Sequence, residues 1–271
     1  RHARFFEKWN RLANEQVLPV ADALIFHEYH SQEGKTERSE SGYQNLFRGA
    51  VSGTRTMIDR DTRAALRPGG EIWVTEFNMS QNRGQNAVAG RWSHGLYAQM
   101  MALVLLEDPA TTMACNQVLV GNSSFGALFA DERAVGVPIF TNPELGRRKG
   151  LTKPYDLSAT GLSLALFGRA IKHKDRATAL KFPGAGQGLY GWVFEGESGS
   201  DILVLNLSGR PTTISVADIL GSEGVEFESL SAEPAELITT SDKVSRETGA
   251  VGASFELPAY STNRIYRRAL N

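Results

Sequence analysis

At 271 residues the chain can hold one large domain or two of medium size. Its 41% hydrophobic and 22% charged residues describe an ordinary globular protein and exclude a disordered or fibrous one. The 29 basic and 30 acidic residues nearly cancel, leaving no footprint for nucleic acid or an anionic membrane surface. One cysteine, Cys115, excludes an internal disulfide framework, and no apolar run is long enough to span a bilayer.

Residues Arg1 to Trp9 have neither the apolar core nor the cleavage site of a signal peptide. Phe5, Trp9 and Leu12 recur at helical spacing, which predicts a helix from about Arg4 to Gln16, so the chain is expected to start inside a domain. Leu18-Pro19-Val20 leads into a strand from Asp22 to Tyr29, and a Ser-, Glu- and Gly-rich loop follows from Ser31 to Ser41. Tyr43 to Leu66 reads as a long helix with Leu46, Phe47, Ala50, Val51, Met57 and Ile58 on its apolar side. Pro68-Gly69-Gly70 stops it, and Glu71 to Ser80, with β-branched and aromatic residues in its middle, is a strand. After a polar loop from Gln81 to Gly90, a helix is predicted from Trp92 to Glu107, with Leu96, Met100, Leu103 and Val104 in the core. Asp108-Pro109 breaks it before a strand at Thr112 to Val120. An irregular stretch, Gly121 to Pro154, precedes Asp156-Leu157-Ser158, which offers N-caps to a helix striped by Leu162, Leu166, Phe167 and Ala170.

Helices alternating with apolar strands indicate parallel βα units. From about Arg176 the texture changes to short β-rich runs separated by Gly, Ser, Pro or Asp. These are Ala177–Phe182, Leu189–Glu195, Asp201–Leu207, Thr212–Val216, Val225–Leu230, Ala253–Leu257 and Tyr260–Arg267. Such a series predicts an antiparallel sandwich, with the division between residues 1–174 and 175–271. Tyr190, Trp192 and Phe194 alternate as packed strand faces do, which leaves this part without an evident aromatic platform for a sugar.

Strict alternation along the Glu71 strand places Ile72, Val74, Glu76 and Asn78 on one face, and Trp73, Thr75 and Phe77 on the other. A Glu placed last on the inner face of a parallel strand sits at the C-terminal mouth, where α/β barrels put their chemistry. Along the first strand, Ala23, Ile25, His27 and Tyr29 share one face; Leu24, Phe26, Glu28 and His30 share the other. His27 and Tyr29 therefore end an inner face. The plainer alternatives are a strand-end salt bridge for Glu76 and backbone-satisfied burial for His27 and Tyr29. His27 and His30, three apart on a strand, point opposite ways and make no metal pair, and neither metal nor cofactor is expected. Gly121-Asn122-Ser123-Ser124-Phe125-Gly126 is not a phosphate loop, because no Lys-Ser/Thr follows.

Val74-Thr75-Glu76-Phe77-Asn78-Met79-Ser80 resembles the seventh-strand segment of clan A retaining glycoside hydrolases, with the xylosidase/iduronidase and arabinofuranosidase families nearest. His27-Glu28-Tyr29 is similar to the His-x-Tyr ending of the preceding strand there, and Leu257 to Ile265 resembles the last strand of the β-domain that follows the barrel. The resemblance implies an α/β (β/α)8 TIM barrel of which this chain holds about strands six to eight, followed by an all-β antiparallel sandwich. It implies Glu76 as the nucleophile, Tyr29 as a donor to it and His27 beside them. Asn78, Trp92, His94, Asn116 and Asn122, with Phe125, are expected to contact the sugar, although Trp92 also reads as a helix-start hydrophobe, the plainer alternative and the slightly favoured one.

Hydrolysis with retention needs two carboxyl groups about 5–5.5 Å apart. In the family the acid/base is a Glu after an Asn ending the fourth strand. Asn14-Glu15 has the dipeptide in a helical setting, and Glu28 points to the other face, so the acid/base is expected upstream of residue 1. Many of these enzymes also carry a Trp on the eighth strand, and this chain has none there. The implied activity is double-displacement cleavage of plant or algal poly- or oligosaccharides, the carbohydrate being the partner. A non-catalytic carbohydrate-binding or structural module, or a lyase using Glu76 as a base, are the competing functions.

Overall fold

The computed structural model describes residues 11–12, 15–17, 19–31, 36–59, 66–80, 88–121, 126–130, 132, 152–182 and 188–267. The predicted first helix lies mostly outside these residues, although positions 11, 12, 15 and 16 are helical. Strands β1 (Ala23–Ser31), β2 (Glu71–Ser80) and β3 (Thr111–Asn116) form a parallel sheet in the order β1-β2-β3. Helices α1 (Glu40–Thr56) and α2 (Trp92–Leu105) make the two crossovers. A short parallel ribbon, β4 (Val120–Gly121) and β5 (Leu128–Phe129), follows β3, and α3 (Ala159–Ile171) comes next.

Local chemistry explains the helix ends. The Ser39 hydroxyl accepts from the Gly42 amide at 3.1 Å and Ser158 does the same for Gly161, each satisfying an orphan donor of a first turn. The α1 stripe of Leu46, Phe47, Ala50 and Val51 is buried as its spacing predicts, but the α-helix ends at Thr56 and not at Leu66, running into a π turn at residues 57–59. Helix α2 differs in kind. It is apolar all round, and every one of its residues is buried. It packs against β2, α1 and α3, and Gly95 permits the last contact: a Cβ there would lie 2.3 Å from the Ala159 carbonyl oxygen.

After α3 the sheet type changes. Strands β6 (Arg176–Ala179), β7 (Leu189–Gly196), β8 (Gly199–Asn206), β10 (Val225–Ser231), β11 (Ser245–Ala250) and β13 (Ser261–Arg267) form an antiparallel sheet ordered β11-β10-β13-β8-β7-β6. β9 (Thr212–Ser215) and β12 (Ser254–Leu257) pair as a separate ribbon. One face of the large sheet, with Trp192, Phe194, Leu203 and Leu205, joins the core of the helices. The opposite face, with Val193, Ile202, Val204 and Ile265, packs with Ile214 and Leu257 of the ribbon. Strand β11 has no counterpart in the predicted runs. Its six residues are polar or small and all exposed, and it is a strand only because β10 pairs with it.

One predicted parity is corrected. The β1–β2 register runs Leu24–Ile72, Ile25–Trp73 and Phe26–Val74, then jumps to His27–Glu76. The extra residue, Thr75, is a β-bulge in the middle of β2. Below it Ile72 and Val74 are fully buried, level with Leu24 and Phe26 of the helix-facing side, while Trp73 pairs with half-exposed Ile25 on the open side. Above it Glu76 pairs with His27. Glu76 therefore does not share a face with Ile72 and Val74 as strict alternation requires. The bulge turns it onto the side of Ile25 and His27.

Candidate active site

Three side chains meet at the C-terminal ends of β1 and β2. The Tyr29 hydroxyl donates to Oε2 of Glu76 at 2.5 Å, and Nδ1 of His27 lies 3.4 Å from the same oxygen. Both contacts fall on Oε2; among the described residues Oε1 takes no hydrogen bond. The carboxylate is one-third exposed and the His27 side chain about half, so the group opens to solvent on the face opposite the helices. Burial, then the hydrogen bond to Glu76 and its negative charge, push the Tyr29 phenol well above its ordinary pKa. Tyr29 is thus a proton-bearing donor at any working pH, aimed at one oxygen of a partly exposed carboxylate whose other oxygen takes no hydrogen bond among the described residues. That geometry suits an ionised nucleophile.

Asn78, expected to meet a sugar, is buried with its amide committed to protein. Its Nδ2 donates to the Gln117 carbonyl at 2.6 Å, and its Oδ1 accepts from the Met79 amide and from His94 Nε2, each at 2.8 Å. His94 is buried too. Its Nδ1 accepts from the Gly90 amide at 3.0 Å, which leaves the proton on Nε2 for Asn78, and desolvation pushes its pKa down to about 4. Trp92 is fully buried and donates from Nε1 to the Tyr260 carbonyl at 2.6 Å, joining α2 to the β-domain. Trp92 and His94 accordingly have no surface to offer a sugar. The reason is that α2 is enclosed on all sides, so its first turn is core and not rim. Asn116 is partly buried and donates to the Phe77 carbonyl at 3.1 Å. Asn122 and Phe125 lie outside the described residues.

On the helix side of β1, Glu28 and His30 form a second polar group. His30 Nε2 lies 2.7 Å from Oε1 of the buried Glu28, and its Nδ1 lies 2.6 Å from the Tyr97 hydroxyl. Glu28 therefore faces the helices, as alternation predicts. It is on the wrong side to work with Glu76, and Glu15 is exposed in the helical segment before β1. β1 to β3 carry three acidic residues, Glu28, Glu71 and Glu76, and Glu71 stands at the far end of β2. These strands thus offer one carboxylate at this mouth. Tyr97 was missed in the sequence; the signal that points to it is a helix with no polar face that still carries His94, Tyr97 and Gln99.

No family model matches the chain, and no curated protein matches it. Solved structures do, over most of its length. One is a 4-O-α-L-rhamnosyl-β-D-glucuronidase from Fusarium oxysporum, 15% identical, with a TM-score of 0.59, over 93% of this chain and 55% of that one. Another is a family 51 α-L-arabinofuranosidase from Bifidobacterium longum, 12% identical, with a TM-score of 0.63, over 95% and 56%. A third is the α-L-arabinofuranosidase of Thermotoga maritima, 16% identical, with a TM-score of 0.58, over 95% and 55%. The chain thus shares a fold with glycoside hydrolases of the kind its strand endings resemble, and spans about 55% of the length of these neighbours.

Proposed function

We propose that this chain carries the nucleophile half of a retaining glycoside hydrolase, with Glu76 as the attacking carboxylate. The observation that carries the reading is the 2.5 Å hydrogen bond from Tyr29 to Oε2 of Glu76 at the open ends of two parallel strands. In this reading β1 to β3 are the sixth to eighth strands of a (β/α)8 barrel, residues 1–174 belong to it, and 175–271 form the accessory sandwich. Glu76 Oε1 attacks the anomeric carbon, the glycosidic bond breaks, and the leaving oxygen takes a proton from a second carboxyl. That group, now the base, then deprotonates water, which attacks the same carbon and releases Glu76. Tyr29 holds the charge and orientation of Glu76 throughout, and His27 lines the approach. The second carboxyl comes from protein beyond this chain, which fits its span of about 55% of the neighbours. The substrate class is plant or algal poly- or oligosaccharide, in keeping with neighbours named as arabinofuranosidases and a glucuronidase.

Glu76→Ala in the full-length protein should lower kcat on an aryl glycoside by on the order of 10³-fold or more, with an unchanged circular dichroism spectrum. Added azide should restore part of the rate and yield a glycosyl azide, because a small anion fills the vacated space. Residues 1–271 alone should be inactive. Wild-type turnover by Glu76→Ala without azide would refute the assignment, and robust hydrolysis by the isolated chain would show an acid/base within it. The second reading, a non-catalytic carbohydrate-binding or structural module, draws on the one carboxylate that β1 to β3 offer at the mouth; a full-length protein that binds an oligosaccharide without cleaving it would establish that reading.

A further inference from the structure

We infer that α2 is a positioning element of the site, in which His94 and Tyr97, one turn apart, pin the ends of β2 and β1 and so fix the Tyr29–Glu76 contact. This rests on the reading of Glu76 as nucleophile and names the parts that hold it.

The two anchors bracket the reacting pair. His94 donates to Asn78, two residues beyond Glu76 on β2, and Asn78 is the cross-strand partner of Tyr29. Tyr97 reaches His30, the residue next to Tyr29 on β1, and the His30 and Tyr97 rings meet edge to face at 5.8 Å. Behind His30 the Glu28 carboxylate closes the chain at 2.7 Å. On the other side Asn78 also ties β2 to Gln117 at the end of β3. Each strand end therefore receives a polar tie from the same buried helix: β1 through His30 on the helix-facing side, and β2 through Asn78, which shares the parity of Glu76. The 2.5 Å contact of Tyr29 with Glu76 lies between these two ties.

The ties sit beside an irregularity of the backbone. The register jump that turns Glu76 toward the open face interrupts the β1–β2 ladder between Phe26 and His27, just below the site. Above the interruption the ladder resumes in regular register from His27–Glu76 to Ser31–Ser80, displaced by one residue on β2, so the placement of Glu76 rests on this upper segment. Apolar packing does not fix hydrogen-bond geometry there, whereas directional bonds in a dry layer do. His94 is suited to the task because burial keeps it neutral, with one nitrogen accepting and the other donating. A misplacement of about 1 Å in a reacting group can cost on the order of 10²-fold in rate.

The test is a double-mutant cycle in the full-length protein. Tyr97→Phe removes one hydroxyl and keeps the ring; it should lower kcat about tenfold while KM stays within about twofold. Tyr29→Phe should lower kcat at least as much. The double variant should lose no more than Tyr29→Phe alone, because both act through the same contact. His94→Gln offers a second route should Tyr97→Phe fold poorly. A crystal structure of either α2 variant gives a readout independent of turnover: the Tyr29–Glu76 contact should lengthen beyond hydrogen-bond range. Additive losses, wild-type kcat, or an unchanged Tyr29–Glu76 contact would overturn the positioning role. If Glu76→Ala keeps its activity, the nucleophile assignment is what fails, and the crystallographic distance still decides whether α2 holds Tyr29 against it.

Discussion

The two larger sheets among the described residues share a helical layer and differ on their far sides. The antiparallel sheet is covered on both faces: Trp192, Phe194, Leu203 and Leu205 meet the helices, while Ile202, Val204 and Ile265 meet the β9–β12 ribbon. Several of its buried polar residues are paired internally. Asp201 lies between Lys174 at 2.9 Å and Arg264 at 2.5 Å, and Ser229 donates to Asn263 at 2.6 Å. Among the described residues the apolar packing of the parallel sheet is on its helix side. Its other face leaves Ile25 54% and Met113 42% exposed, with Glu76, His27 and Tyr29 at its upper end. Enclosure makes the first sheet a support; openness leaves the second a surface on which a carboxylate can meet a ligand.

That contrast can be broken by mutation. The largest stability effect is expected at Asp201, where both ion-pair partners reach a buried carboxylate. Asp201→Ala strands the nearly buried Lys174 ammonium and should cost about 3–5 kcal/mol in urea unfolding. A loss below about 1 kcal/mol would mean that the pair is solvated. Next come two isoleucines of equal chemistry. Ile202→Ala, in the closed core, should cost about 2–5 kcal/mol, whereas Ile25→Ala on the open face should cost under about 0.5 kcal/mol in this chain. Equal losses would show that the open face is covered in solution.

The smallest effect sharpens the join between the halves. Burial alone would raise the Asp156 carboxyl, but hydrogen bonds from the side chain and amide of Ser241 and from the Leu157 amide outweigh it and hold its pKa below the ordinary value. A depressed carboxyl contributes stability that is fully present above its unfolded pKa and is lost as pH falls through the folded one. Asp156→Asn should therefore be less stable than wild type at neutral pH. The gap should narrow as the pH falls below about 4, measured by thermal unfolding across that range. A gap that is constant with pH would remove the charge from the explanation.

Much of this organisation is written locally. Pro68-Gly69-Gly70 and the β-branched run after it give β2 with the bounds the structure shows, because turn residues and strand formers act over a few positions. The facing of β1 follows from period-two alternation, which by itself puts His27 and Tyr29 on one side and Glu28 on the other. The change from helical period to short runs near Arg176 likewise marks where the antiparallel sheet begins. Other features depend on what lies across from a residue. The bulge before Glu76 arises from pairing with β1, and no alternation rule within β2 reveals it. Strand β11 has no apolar signal and exists through its ladder with β10. Trp92, His94 and Asn78 have the side chains of sugar ligands, yet the packing of α2 against β2 and the β-domain commits them to Tyr260, Gly90 and Gln117. Sequence sets which side chain points where along a single element, because that is local stereochemistry. Only the assembled layers decide which polar groups are spent on the fold and which remain for a ligand, because that depends on distances between elements far apart in the chain.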